Sequence, residues 1–183
     1  MSEPHHDGRG DLSQPEFEQV FLPHLDAAYN LARWLLRNDQ DAEDAVQEAY
    51  LRAYKSFSRF RGGDGKALLM TILRNVCYTT IKKSRSRETS EPFDEEIHQA
   101  AGQTEMREAF RQKADAEALQ GALEKLPEEF REIIVLHDLE GLAHKQIATV
   151  IGIPIGTVMS RLARARGRLR AEIVASNLRQ SSP

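Results

Sequence analysis

Arg161, Arg164, Arg166, Arg168 and Arg170 stand close together near the C-terminus with no acid among them. A guanidinium is permanently charged and planar, so it can grip a phosphate or the O6/N7 edge of guanine. A solvated helix ordinarily mixes charge signs. A one-sided set of this kind points to a polyanion, and above all to nucleic acid.

Such residues need a frame that aims them. In the segment from Gly141 to Arg170, Ile147, Ala148 and Ile151 recur at helical spacing. Gly152 is the residue type that lets a chain leave a helix in a left-handed conformation. Ile153 plugs the corner, and Pro154 can open a second helix because its missing N–H would be unpaired there. Val158, Leu162 and Leu169 share one face of that second helix, and the small Ala148 lets it pack close to the first. The pattern is a helix-turn-helix whose second helix can enter a major groove. Gly156 and Thr157 permit close backbone approach, and Thr157 can donate to a phosphate. Arg161 and Arg164 lie three apart on one face and can reach the same stretch of duplex, while Arg166, Arg168 and Arg170 lie where the helix leaves the groove, toward phosphate or solvent.

The net charge of −3 over 183 residues conceals strong segregation. From Arg52 to Arg87 the bases Arg52, Lys55, Arg59, Arg61, Lys66, Arg74, Lys82, Lys83, Arg85 and Arg87 face Asp64 alone. From Glu88 to Glu108 the balance inverts, with Arg107 the sole base. Two basic regions around an acidic connector imply two contacts with nucleic acid and a tether that avoids it. Hydrophobic residues at 40% permit real cores. Cys77 is the only cysteine, which rules out an internal disulfide and fits a reducing cytoplasm. The polar N-terminus lacks the apolar stretch of a signal peptide, and no apolar run is long enough for membrane insertion.

Other chemistries find no support. His137 and His144 flank a helix break, but no cysteine or further histidine lies nearby in sequence to complete a zinc site. His5–His6 belongs to a solvated tail, and Glu95-Glu96-Ile97-His98 offers only one copy of a spacing that di-iron bundles use twice. Gly62-Gly63-Asp64-Gly65 lacks the lysine and strand of a phosphate-binding loop. We expect no metal, no cofactor, no small-molecule substrate and no catalytic centre.

In chain order, residues 1–12 read as a disordered tail. Ser13-Gln14-Pro15-Glu16 has the form of a capping box. Phe17, Phe21, Leu25, Ala28, Ala32 and Leu35 then form a helical stripe that Pro23 kinks or splits. Asn38-Asp39-Gln40-Asp41 ends it, and Asp41 is placed to cap a helix from Ala42 to about Phe60 with Ala42, Ala45, Val46, Ala49, Ala53 and Phe57 inward. Acids early and bases late on the outer side of that helix suit its dipole. A loop at Gly62–Gly65 precedes a helix from Lys66 to Lys83 with Leu69, Ile72, Leu73, Val76 and Thr80 inward and Cys77 at the edge of the same face. Leu119, Leu123 and Leu126 mark a short helix, and Pro127-Glu128-Glu129 starts another with Phe130, Ile133, Ile134 and His137 on one side and Gly141 at its end. The expected fold is all-α: a helical domain over residues 13–87, an acidic flexible linker over 88–114, a helix-turn-helix domain over 115–176 and a tail over 177–183.

These residues carry a family likeness. Ala42-Glu43-Asp44-Ala45-Val46-Gln47-Glu48 followed by Arg52-Ala53-Tyr54 resembles the signature helix of bacterial sigma factors of the extracytoplasmic-function type. Thr71-Ile72-Leu73-Arg74-Asn75 resembles the end of the same domain. Leu126-Pro127-Glu128-Glu129-Phe130-Arg131-Glu132 and the run Gly156 to Arg166 resemble the C-terminal domain of that family, in the same order and spacing.

The resemblance implies a chain that binds core RNA polymerase and promoter DNA, and that an anti-sigma factor holds in check. Asp44, Gln47, Glu48 and Arg52, a polar face with no apolar neighbours to pack, would hold the polymerase. Arg61, Asp64, Lys66, Arg74, Asn75, Lys82 and Lys83 would serve the −10 element and its opened strand. Pro154, Gly156, Thr157, Met159, Ser160, Arg161, Arg164 and Arg168 would serve the −35 duplex. Two departures stand out: Leu68-Leu69 where the family usually has Trp-Leu, and Met159 where it tends to have Lys or Arg. A stand-alone helix-turn-helix regulator would account for the C-terminal domain but leave the N-terminal basic bundle without a purpose. An all-helical enzyme would need a catalytic constellation that the chain lacks.

Overall fold

The computed structural model describes residues 14–88 and 118–180. The expected N-terminal tail, Ser13 of the capping box, His5–His6, the Glu95–His98 motif, the residue 115 start of the second domain and almost all of the linker lie outside these residues. Every regular element among the described residues is helical.

The first apolar stripe divides as its proline requires. Helix α1 (Gln14–Phe21) passes through a 3-10 turn, Leu22–His24, into α2 (Leu25–Leu36), with Pro23 in the turn. Arg37 adopts a left-handed conformation, φ 57°, and its N–H closes onto the Arg33 carbonyl. Asn38, not Asp41, caps the next helix: its Oδ1 accepts the Asp41 N–H at 2.9 Å, so α3 (Asp39–Ser56) begins earlier than expected. A 3-10 turn, Phe57–Arg59, ends α3, and α4 (Gly65–Glu88) follows the glycine loop.

Ala42, Ala45, Ala49 and Ala53 are buried along α3, and these small side chains let α2 and α4 approach it closely. Phe17, Phe21 and Phe57 close one end of this bundle, with Phe17 edge-on to Phe57 at 5.3 Å between ring centroids. Cys77 is fully buried, as expected of a small apolar residue, whereas Ile72 and Thr80 are only half-buried.

The C-terminal half holds α5 (118–124), α6 (Glu128–Ile134), α7 (His144–Ile151) and α8 (Ile155–Gln180), the last running past the expected end at residue 176. Leu123 and Leu126 are buried, but Leu119 is exposed, contrary to the inward stripe read from the sequence. After α6 the chain makes one π turn, Val135–Leu139, in which Glu140 N–H reaches back to the Val135 carbonyl at 2.9 Å. The two halves pack together, α4 against α7 and α2 against α6, and their buried residues form one continuous apolar cluster.

Candidate nucleic-acid interface

Helices α7 and α8 meet at 100°. Gly152 makes the corner with φ 76°, and Gly152 and Ile153 both donate to the Ala148 carbonyl, at 2.9 and 3.1 Å. Past Pro154 the Thr157 and Val158 N–H groups bond the Pro154 carbonyl at 2.9 and 3.1 Å, which starts α8. Ile147, Val150 and Ile151 are buried with Val158, Leu162 and Ala165, so the angle between the helices is set by core packing. This is a helix-turn-helix, with α8 in the position of the recognition helix.

The arginines of α8 divide by partner. Arg161 is mostly covered and pairs with Glu129 of α6 at 3.3 Å. Arg166 Nε reaches Asp138 Oδ2 at 3.0 Å, with a second bond from Nη2 to Oδ1, and the same Nη2 lies 3.2 Å from His137 Nδ1. The Arg166 hydrogen bond holds the Asp138 carboxyl below the usual carboxylate range. Arg168 lies 5.1 Å above the Phe130 ring. Arg164 is exposed, and its Nε bonds only its own helix, at the Ser160 carbonyl, 3.3 Å away. Pro154, Gly156, Met159 and Ser160 are exposed and Thr157 is half-buried. Thus Arg161 and Arg164, expected to act together, face different surroundings: one is tied to α6 and the other is open to solvent.

The histidines noted at the helix break do meet. His137 and His144 stack with ring centroids 4.9 Å apart, yet no group of three or more metal-ligating side chains exists among the described residues.

The N-terminal set also divides. Arg61, Asn75, Lys82 and Lys83 are exposed. Asp64, Lys66 and Arg74 instead contact the C-terminal half. Asp64 Oδ1 caps α4 by accepting the Ala67 N–H at 2.9 Å, while Oδ2 accepts from Gln146 of α7. Gln146 in turn accepts the Ala143 N–H at the start of α7, at 2.5 Å. Lys66 Nζ donates to the Glu140 carbonyl at 2.5 Å. Arg74 donates to Glu132 at 2.6 and 3.3 Å, and Tyr78 hydroxyl donates to the same carboxylate at 3.2 Å.

On α3, Asp44, Gln47, Glu48 and Arg52 are exposed as a strip. Arg52 bonds Glu48 at 2.7 Å, and that bond lowers the Glu48 pKa. The strip is not free of apolar neighbours. Leu25, Val46, Gln47, Tyr50 and Leu51 line a shallow recess of about 350 Å³, and Leu51 and Tyr54 are more than half exposed. Leu51 and Tyr54 lie off the inward repeat of Ala42, Ala45, Ala49 and Ala53, and helical periodicity carries no signal for an apolar residue on the outer face.

Arg131 and Glu132 were also missed as buried groups. Arg131 spends its guanidinium on four carbonyls, those of Leu123, Leu126, Glu124 and Trp34, at 2.9 to 3.1 Å. It thereby fixes the turn between α5 and α6 and ties it to α2.

Residues 20–87 match the Sigma-70 region 2 family and residues 116–169 match Sigma-70, region 4. ECF RNA polymerase sigma factor SigM of Mycobacterium tuberculosis is 34% identical over 154 residues, which cover 84% of this chain and 74% of that one. The chain belongs to the ECF sigma factors of RNA polymerase. A further relative, ECF RNA polymerase sigma factor SigE of Mycolicibacterium smegmatis, is 33% identical over 166 residues, 90% of this chain but only 64% of the relative's length. Among solved structures, the Bartonella quintana sigma factor RpoE, crystallised with the anti-sigma factor NepR, superposes with a TM-score of 0.73 at 32% identity, over 86% of this chain and 96% of that one. In this ECF sigma factor, region 2 therefore spans α2 to α4, and region 4 ends with the arginine-rich part of α8.

Proposed function

We propose that this ECF sigma factor binds core RNA polymerase, directs it to the promoters of a specific regulon and helps open them there. One observation carries the reading: a single chain joins sigma region 2 to a region 4 helix-turn-helix whose recognition helix has no acid from Ile155 to Ala171. Residues 13–87 serve core polymerase and the −10 element, and 115–176 serve the −35 element. Asp44, Gln47, Glu48 and Arg52 meet the polymerase, joined by the apolar recess beside Gln47. The exposed Arg61, Lys82 and Lys83 offer a cationic path for the opened strand, which Lys66 and Arg74 join once they leave the C-terminal half, while Asn75 and Asp64 can bond only to bases beside it. Pro154, Gly156, Thr157, Met159, Ser160, Arg161, Arg164 and Arg168 attend the −35 duplex.

The protein acts by binding in the cytoplasm, without catalysis of its own. An anti-sigma factor is the expected regulator, by analogy with the solved relative bound to NepR. Among the described residues no single helix is long and apolar enough to cross a membrane.

Run-off transcription tests this reading. Core polymerase supplemented with the protein should start at defined promoters and core alone should not. Sequence-specific DNA binding without any effect on core polymerase would instead mark a stand-alone regulator.

A further inference from the structure

The recognition helix exposes something besides arginine. Met159 is 55% and Ile155 49% exposed, one turn apart on α8, in a stretch whose other large outward side chains are cationic. At 100° per residue, Gly156, Ser160, Ala163 and Gly167 form the outermost strip of the helix. A Cβ built on either Gly156 or Gly167 meets no atom within 4 Å, so this strip is open. Met159 and Ile155 stand along one edge of it and Arg164 along the other. Arg161, Arg166 and Arg168 are drawn toward α6 and the π turn by Glu129, Asp138 and Phe130. A helix entering a groove by its bare strip therefore presents a cation on one side and an unbranched thioether on the other.

The absence of acids from Ile155 to Ala171 makes a DNA duplex the partner with matching charge. Within the major groove one base carries an apolar group at its edge, the C5-methyl of thymine. Resting on α8 as the reader of the −35 element, we propose that Met159, with Ile155 beside it, selects a thymine there by contact with its C5-methyl group. The contact replaces the charged one that a lysine or arginine at this position would make. It gives the chain a preference for thymine where a cation would favour guanine or phosphate.

Deoxyuridine tests this, because it removes that methyl and leaves base pairing intact. Promoters are selected with holoenzyme, full-length protein on core polymerase, from a library randomised at the −35 element. Each thymine on either strand is then replaced singly by deoxyuridine. Wild-type holoenzyme should lose about fourfold in affinity at one position, the worth of one buried methyl. Met159→Ala should be indifferent to the same replacement and Met159→Leu should remain sensitive. Both positions are exposed, so the fold is unaffected. Full affinity for every deoxyuridine promoter overturns the proposal, as does a selected element without thymine. A penalty that persists in both Met159→Ala and Ile155→Ala overturns it too. If no −35 preference emerges at all, the assignment of α8 as the reader fails, which is a separate outcome.

Discussion

Arg74 of α4 and Glu132 of α6 form an ion pair at 2.6 Å between the two halves of the chain, with Glu132 1% and Arg74 20% exposed. Burial pushes the Glu132 carboxyl above its ordinary range, and Arg74 opposes that shift. Burial also works against the Arg74 charge, but Glu132 beside it holds its pKa above the usual value. Arg74 further rests 4.4 Å from the Tyr78 ring centroid. A guanidinium engaged in this way cannot meet DNA, so a −10 role for Arg74 requires the halves to part.

Removing one partner of a buried pair costs about 3–5 kcal/mol, because the other charge stays behind in the low-dielectric interior. Here the chain has an alternative to that cost, which is to separate its halves and hydrate Glu132. Arg74→Ala should therefore enlarge the radius of gyration in small-angle X-ray scattering while the helical circular dichroism signal is retained. Adding Glu132→Gln, which removes the stranded charge, should bring the value part of the way back. An unchanged scattering profile for Arg74→Ala would show that the pair does not hold the halves together.

Cys77 gives a cleaner chemical readout. Desolvation raises its thiol pKa to about 12, so almost no thiolate exists at neutral pH. A disulfide reagent such as Ellman's should leave the native protein unlabelled. Labelling should rise along the urea unfolding curve, as far as circular dichroism does. Fast stoichiometric labelling of native protein would mean that the core around α4 opens on its own.

Core binding should depend on both kinds of group on α3. Charge reversal at Asp44 and Glu48 sets like charges against whatever basic surface they met, which costs several kcal/mol at a tight interface. We expect Asp44→Lys with Glu48→Lys to weaken binding to core polymerase at least about tenfold. Leu51→Asp, which spoils the apolar recess, should weaken it comparably. All three side chains are exposed, so circular dichroism spectra should match the wild type. Co-purification of the charge-reversed protein with core at wild-type yield would place the polymerase contact elsewhere.

The pairing of Asp138 with Arg166 predicts an acid sensitivity. The Asp138 pKa is lowered in the folded chain, mainly by the Arg166 hydrogen bond. A depressed carboxylate contributes stability that is present above its ordinary pKa and lost as pH falls through the folded value. The pair joins the π turn to α8, so acidification should loosen the helix-turn-helix domain in that window. Asp138→Asn should remove this part of the pH dependence, with a loss of about 1 kcal/mol or less at neutral pH because the pair is partly exposed. Urea titrations of both proteins across the acid range check it. Parallel pH profiles would rule the pair out as a source of stability.

The legibility of this chain followed periodicity. Gly152 and Pro154 announced the helix-turn-helix corner, and the alanine ladder on α3 announced a close-packed face, because local conformation and burial obey one repeat there. The sequence alone does not separate Asn38 from Asp41 as the cap, because several residues of capping type stand together and only the backbone decides among them. Arg131 and Glu132 were hidden for another reason. Residues 130–136 are all buried, so beyond its first turn α6 has no outer face, and two charged residues inside it leave no periodic signature. The split among the α8 arginines was equally invisible, since Glu129 and Asp138 come from other turns of the chain.

That split yields the final prediction, on how α8 reads DNA. The first turns of a recognition helix lie nearest the base edges, and later turns lead out of the groove. Arg164 is exposed beside the bare strip of α8, free of any carboxylate bond, and can extend to guanine O6 and N7. Such a contact is worth about 1–3 kcal/mol of discrimination between bases. Arg168 lies one turn later and leans on Phe130, which aims it along the flank toward phosphate. Losing a phosphate contact weakens all sequences alike and lowers the salt dependence of binding by about one ion. Arg164→Ala should therefore change which −35 sequences holoenzyme selects from a randomised library. Arg168→Ala should keep the selected sequence and reduce transcription from every member, with a shallower salt slope. Arg161, tied to Glu129 at 3.3 Å, should resemble Arg164 only if that pair breaks on binding. Glu129→Ala separates the cases. If releasing Arg161 strengthens binding without altering the selected sequence, it meets phosphate. If the selected sequence shifts, it reads a base. Should Arg164→Ala leave the preferred −35 sequence unchanged, the strip of α8 that faces the groove must be a different one.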